Sequence, residues 1–133
     1  MRPTALTLTT AVLLIATPAM AGPAEEAELL RLAQCTTHIA ALSVLSEMDP
    51  TSARLKPYAD RMTPLLPRLG TRFATLRDVI GDAKAQEMTD KVFADAKPGI
   101  EAIVAATDPA DTLIAKHGKA LDACLTEIAK LPA

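Results

Sequence analysis

Apolar residues in this chain recur every three or four positions and do not alternate with polar residues over any useful length. This spacing places apolar side chains on one face of an α-helix, whereas a half-buried strand needs a period of two. Ala, Leu, Glu, Lys and Arg, all good helix formers, dominate the sequence. The 133 residues suffice for one domain. We therefore expect a single all-α domain.

Residues 1–21 have the three parts of a secretory signal peptide. Arg2 supplies a positive amino-terminal end, residues 5–17 are apolar, and Ala19-Met20-Ala21 is a small-x-small cleavage site. The apolar run is shorter than the roughly 20 residues that span a bilayer. We expect cleavage after Ala21, which leaves residues 22–133 as a periplasmic or secreted domain with no transmembrane segment.

Three dipeptides divide this domain into four helices of comparable length. In Asp49-Pro50 and Asp108-Pro109, Asp can cap a helix whose first residue is Pro. In Gly81-Asp82, Gly can end one helix and Asp can cap the next. The predicted helices span residues 24–48, 50–80, 82–106 and 109–131.

The first two predicted helices differ in regularity. The first has an apolar face, and Arg31, Gln34 and His38 lie opposite it, so His38 is expected at the solvated surface. The second keeps an apolar stripe from one end to the other, but prolines interrupt it and predict a kink. The apolar face of the first helix comprises Leu29, Leu32, Ala33, Thr36, Ile39, Ala40 and Val44, and the prolines of the second are Pro57, Pro64 and Pro67.

Short connections predict an antiparallel, up-down-up-down four-helix bundle. The two cysteines, Cys35 and Cys124, lie on the first and last helices. Aligning the start of the first helix with the end of the last places the cysteines within about one helical turn of the same level. Two cysteines in an exported domain usually form a disulfide with each other. We expect a disulfide that joins the two terminal helices.

Charge is unevenly distributed along the mature domain. Residues 22–133 carry a net charge of −3, and with only three aromatic residues they lack the basic surface and stacking platforms of nucleic-acid binding proteins. Residues 50–81, however, carry a net charge of +4. Four arginines of this helix project within about 40° of one another. They are Arg54, Arg61, Arg68 and Arg72.

This arginine stripe has two interpretations. The arginines can pair with acidic residues of neighbouring helices, at small energy per pair. Alternatively, their guanidinium groups can bind an anionic ligand or a partner protein, since they match carboxylates and phosphates bidentately. The identity of such a partner does not follow from the sequence.

His117 is the second candidate for function, because it projects onto the apolar face of the last helix. It is either a structural histidine, for example hydrogen-bonded to Tyr58, or a ligand of haem or copper with Met62 or Met88 opposite. Four-helix periplasmic b-type cytochromes are broadly similar in having a ligating His on the last helix. They also carry a Met near the start of the first helix. In this sequence the only methionine of the first predicted helix, Met48, lies at the far end of that helix.

Other chemistry finds little support in the sequence. A Cys2His2 metal site is disfavoured because seven helical residues, about 10.5 Å, separate His117 from Cys124. There is no Gly-rich phosphate loop, His-Glu-x-x-His motif or nucleophile-base pair. We expect a non-enzymatic binding or accessory protein without a cofactor. A haem or copper bundle and a periplasmic stress chaperone are the alternatives.

Overall fold

The computed structural model describes residues 22–133, which form helices joined by short turns and contain no strand. The predicted signal peptide lies outside the described residues. The elements are α1 (Pro23–Met48), α2 (Lys56–Met62), a 3₁₀ turn (Thr63–Leu65), α3 (Leu66–Ile80), α4 (Asp82–Val104) and α5 (Pro109–Ala129). The 3₁₀ turn links α2 to α3, and the three together form the second of four bundle helices. The expected all-α four-helix bundle is confirmed.

The second bundle helix is kinked rather than ended by its prolines. Pro57, Pro64 and Pro67 each occupy the first or second position of a helical segment, where an absent N–H removes no intrahelical hydrogen bond. The linking residues Met62 and Leu65 keep right-handed helical dihedrals. The chain therefore continues from α2 through the 3₁₀ turn into α3.

The start of this helix lies later than the sequence predicts. Asp49 ends α1 instead of capping the next helix, and its carboxylate accepts a hydrogen bond from the Thr51 hydroxyl at 3.1 Å. Ser52 provides the turn, since its hydroxyl accepts from the backbone N–H of Leu55 at 3.3 Å. The prediction that the helix begins at Pro50 is therefore wrong by six residues, because α2 begins at Lys56.

The other two boundaries follow the sequence more closely. Asp108 caps α5 by accepting a hydrogen bond from the backbone N–H of Asp111 at 3.2 Å. Gly81 ends α3 with φ 100° and also precedes α4 directly. The prediction that Asp82 caps α4 is wrong, because Asp82 is the first helical residue and its carboxylate instead accepts from Arg77 at 3.3 Å.

The helices alternate in direction, as an up-down-up-down bundle requires. The ion pair between Arg31 and Glu127 joins the start of α1 to the end of α5, so these helices are antiparallel. The ion pair between Glu26 and Lys84 joins the starts of α1 and α4, which run parallel. The predicted disulfide between Cys35 and Cys124 is present, with their Cα atoms 5.3 Å apart.

The first helix is the centre of the bundle, because α1 contacts every other helix. Its buried residues therefore surround much of its circumference: Leu29, Leu32, Ala33, Cys35, Thr37, Ile39, Ala41, Leu42 and Leu45. The single apolar face predicted for it is too narrow, and Val44, which was assigned to that face, is 40% exposed. By contrast, α4 buries only Ala85 and Ile103. The bundle is thus built around α1, and α4 packs against α1 while most of its own residues stay at the surface.

Candidate functional site

The arginine stripe lies along the contacts that the second bundle helix makes with its neighbours. Arg72 donates two hydrogen bonds to Glu28 of α1, from Nε to Oε1 at 2.7 Å and from Nη2 to Oε2 at 2.6 Å. The hydrogen bonds from Arg72 hold the pKa of the Glu28 carboxyl below its usual value. This bidentate pair fastens α3 to α1.

The other three arginines of the stripe bind α5. Arg54 pairs with Asp111 at 2.8 Å, but it lies in the turn before α2 and not, as predicted, in the helix. Arg61 pairs with Asp122. Arg68 donates from Nη1 to backbone carbonyl oxygens at the end of the same helix. The accepting carbonyl oxygens are those of Ala129, the last residue of α5, at 2.9 Å and of Leu131, just after it, at 3.3 Å. Each arginine of the stripe thus has a partner within the chain, which is the arrangement that interhelical pairing predicts.

The two methionines considered as partners of His117 lie elsewhere in the bundle. Met62 is 7% exposed, and its sulfur accepts a hydrogen bond from the Ser43 hydroxyl at 3.7 Å. Met88 is half-buried on α4 and packs against the core. Neither residue lines the cavity that contains His117. The residues therefore do not fit a haem held between His117 and either methionine.

Tyr58 does not hold His117 in the manner suggested by the sequence. Among the described residues, no hydrogen bond involves the His117 imidazole. The Tyr58 hydroxyl lies instead beside Gly118, where an added Cβ atom would be 3.6 Å from it. The Tyr58 side chain therefore approaches α5 at Gly118 and forms no hydrogen bond with His117.

His117 faces the other histidine of the chain. The ring centroids of His38 on α1 and His117 on α5 are 5.1 Å apart, and the rings are tilted by 41°. Both residues are half-buried, so the prediction that His38 is a solvated surface residue is wrong. The cause is the position of α5, which brings His117 against His38 on the side of α1 predicted to be polar.

The histidine pair lies in a groove between α1, α4 and α5. The groove encloses a cavity of about 190 Å³. Small residues of α4, Ala96 and Gly99, form part of its wall and leave the space open, and an added Cβ atom at Gly99 would meet nothing within 4 Å. The lining residues are Thr37, His38, Ala41, Asp95, Ala96, Gly99, Ile100, Ile103, Leu113 and His117.

The polar groups of the groove differ in how they are bonded. The Thr37 hydroxyl donates to the backbone carbonyl oxygen of Gln34 at 2.6 Å. The imidazoles of His38 and His117 form no hydrogen bond within the part of the chain that is described. Burial lowers the pKa of His38 below its usual value of 6.5, and the nearby His117 lowers it further. His38 is therefore neutral at pH 7 and has a nitrogen lone pair to offer.

The chain matches no protein-family model, no curated protein and no solved structure with which it was compared. In residues 22–133, no helix is both long enough and apolar enough to cross a membrane. Within the same residues, no three His, Cys, Asp or Glu side chains are grouped closely enough to hold a metal ion as they stand. The titratable residues that line the groove are His38, His117 and Asp95.

Proposed function

We propose that this protein is an exported, non-enzymatic binding protein whose binding site is the groove around His38 and His117. One observation carries the proposal: two half-buried imidazoles without hydrogen-bond partners in the described chain lie side by side in the wall of an open cavity. Because the imidazole nitrogens have no partner within the described chain, they are available to bind a ligand that enters the cavity.

The arginine stripe gives weaker support to a binding role. The guanidinium groups of Arg54, Arg61 and Arg72 are paired with carboxylates, and Arg68 is bonded to carbonyl oxygens. An anionic ligand would have to displace these partners before it could bind. The stripe accordingly serves to hold the second bundle helix against α1 and α5, and the binding role moves to the groove.

The size of the cavity restricts the ligand. At about 190 Å³, it is smaller than the ~300–1,000 Å³ of pockets for drug-sized molecules. An ion or a molecule of a few non-hydrogen atoms fits, whereas a macrocycle such as haem does not. The walls are largely apolar, with Ala41, Ile103 and Leu113 among them, and the imidazoles supply the polar contacts.

The bonding of Thr37 supports a non-enzymatic role. Its hydroxyl is the only one among the groove's lining residues, and it donates to the carbonyl oxygen of Gln34 rather than to a histidine. An activated nucleophile needs the opposite arrangement, in which the hydroxyl donates to a base. The groove can therefore hold a ligand but has no hydroxyl prepared to attack one.

The disulfide supports export. A structural disulfide persists in the periplasm or outside the cell and is rare in a reducing cytosol. Expression of the full chain in a bacterial host tests this directly. We expect a periplasmic protein that begins at Gly22 and has about 2 Da less than its reduced mass. Retention of residues 1–21 on a cytoplasmic protein would contradict the proposal.

Fragment mapping tests the location of the binding site. The exported, disulfide-bonded protein is labelled with ¹⁵N and mixed, in the presence of EDTA, with a set of small imidazole, carboxylate and alcohol fragments. We expect the amide shifts to cluster at residues 37–41, 95–103 and 113–117. Clustering along the arginine stripe, or no cluster at all, would overturn the proposed site.

A stress chaperone is a second candidate, favoured by the exposure of α4. Only two residues of this 23-residue helix are buried, and Phe93 is 38% exposed. A helix that buries so few of its own residues can open locally at lower cost than the core. Binding of an apolar dye at low pH without loss of helical circular dichroism would support this function, and absence of dye binding would exclude it.

A further inference from the structure

We propose that His38 and His117 together bind a divalent transition-metal ion in the groove between α1, α4 and α5. This inference rests on the proposed binding function and names the ligand class. Imidazole nitrogen is a preferred ligand of copper, zinc and nickel ions. The two histidines are the only ones in the chain and are brought together from positions 79 residues apart.

The separation of the rings matches a shared metal ion. An imidazole bound at about 2.0–2.1 Å has its ring centre about 3.2 Å from the metal. Two such rings at a tetrahedral angle have centres about 5 Å apart. The observed centroid distance is 5.1 Å. The observed spacing of α1 and α5 is thus compatible with one ion bound to both histidines, once a nitrogen of each ring is turned toward it.

The disulfide holds the two helices at this spacing. Cys35 precedes His38 by one helical turn on α1, and Cys124 follows His117 by two turns on α5. The ion pair of Arg31 and Glu127 joins the same helices farther along. Because the backbones are fixed on one side of the pair, little order has to be created when an ion binds.

Asp95 adds negative charge to the same cavity. It projects from α4 and lines the cavity together with the two histidines. It is not grouped with the histidines closely enough to be a third ligand, but a carboxylate in the same cavity favours a cation by Coulombic attraction. The two imidazoles leave at least two coordination positions of a four-coordinate ion for water or for a small external ligand.

Metal selectivity follows from the ligand set. A site of two imidazoles and water imposes little geometry, so the affinities should follow the general order for divalent ions, with Cu²⁺ above Zn²⁺ and Ni²⁺. Mg²⁺ and Ca²⁺ prefer oxygen ligands and should not compete. The disulfide removes Cys35 and Cys124 as thiolate ligands, which leaves the histidines as the binding groups.

The test is a titration of the untagged, disulfide-bonded protein with CuCl₂ and ZnCl₂. We expect one ion per chain by native mass spectrometry. We also expect zinc to shift the NMR signals of the imidazole nitrogens of both His38 and His117. His38→Gln and His117→Gln should each weaken binding at least about 10-fold. Circular dichroism melts without metal establish that both variants are folded.

Two carboxylate variants on α4 form a matched pair. Asp95→Asn should weaken binding a few-fold, whereas Asp90→Asn should leave it unchanged, because Asp90 accepts a hydrogen bond from Gln86 and does not line the cavity. Binding that survives both histidine substitutions, or no binding of either ion, would overturn the inference. Because fragment mapping is performed with EDTA, fragments in the groove without metal binding would leave the proposed function intact.

Discussion

Arg72 and Glu28 form the least exposed ion pair in the part of the chain that the structure describes, with side chains 32% and 19% exposed. Two parallel hydrogen bonds join them across the contact between α3 and α1. This pair connects the basic second bundle helix to the acidic start of the first helix. The positive charge of the second bundle helix therefore helps to hold that helix against α1.

Removing this pair should destabilise the bundle. Charged hydrogen bonds that are partly buried contribute more than exposed ion pairs, so Arg72→Met should lower the free energy of unfolding by about 1 to 2 kcal/mol. Urea denaturation measures the change. Arg77→Met is the control, because its partner Asp82 is 79% exposed, and it should cost less than about 0.5 kcal/mol. Equal losses in the two variants would contradict the account.

The contribution of Glu28 should depend on pH. Arg72 lowers the pKa of Glu28 in the folded state below the usual 4.5. The stabilisation is therefore fully present above pH 4.5 and is lost as the pH falls through the folded pKa. We expect the difference in unfolding free energy between the wild type and Glu28→Gln to shrink as the pH falls from 6 to 3. A difference that stayed constant over this range would show that Glu28 does not titrate as proposed.

The disulfide should supply a large part of the stability. It closes a loop with a sequence separation of 89 residues, for which the chain-entropy model gives about 4 to 5 kcal/mol. Cys35→Ala combined with Cys124→Ala should therefore melt far below the wild type. Reductant should lower the wild-type melting temperature and leave that of the double variant unchanged. A wild-type melt insensitive to reductant under conditions that reduce the bond would contradict this prediction.

Gly81 should tolerate substitution less well than the helical glycines. Its φ of 100° is a conformation that other residues rarely adopt, so Gly81→Ala should cost about 1 to 3 kcal/mol. Gly70 lies inside α3, with nothing within 4 Å of an added Cβ atom. Gly70→Ala should instead stabilise the protein by up to about 1 kcal/mol. Thermal melts of the two variants should therefore shift in opposite directions.

Much of the fold could be predicted because its signals are local. The periodicity gives the helices, Gly81 marks a break, and Asp108 caps α5 as expected. The same Asp-Pro signal fails at Asp49, because the Thr51 hydroxyl occupies its carboxylate and Ser52 makes the next turn. A dipeptide cannot show which of several nearby hydroxyl and amide groups its carboxylate will bind.

The histidine pair required a relation between helices. Considered on α1 alone, His38 falls on a polar face and is predicted to be solvated. The register that aligns the start of the first predicted helix with the end of the last also puts residue 38 level with residue 117. Applied to the histidines as it was to the cysteines, this register would have predicted their pairing. The cavity beside them depends on small residues of α4, such as Gly99, whose role only the packing reveals.

The groove is tested most directly by comparing three variants that alter different surfaces. Gly99→Leu places a large side chain at the cavity wall, where the glycine leaves open space. Gly70→Leu, at the other open helical glycine, controls for the change in helix propensity. Arg61→Glu combined with Arg68→Glu alters the arginine stripe.

Fragments that shift the wild-type groove amides are then titrated into each variant. We predict that Gly99→Leu abolishes these shifts and that Gly70→Leu retains them. The double arginine variant should also retain them, although it melts at a lower temperature because it loses partners on α5. Loss of fragment binding in the arginine variant, with full binding in Gly99→Leu, would contradict the central claim that the groove is the binding site.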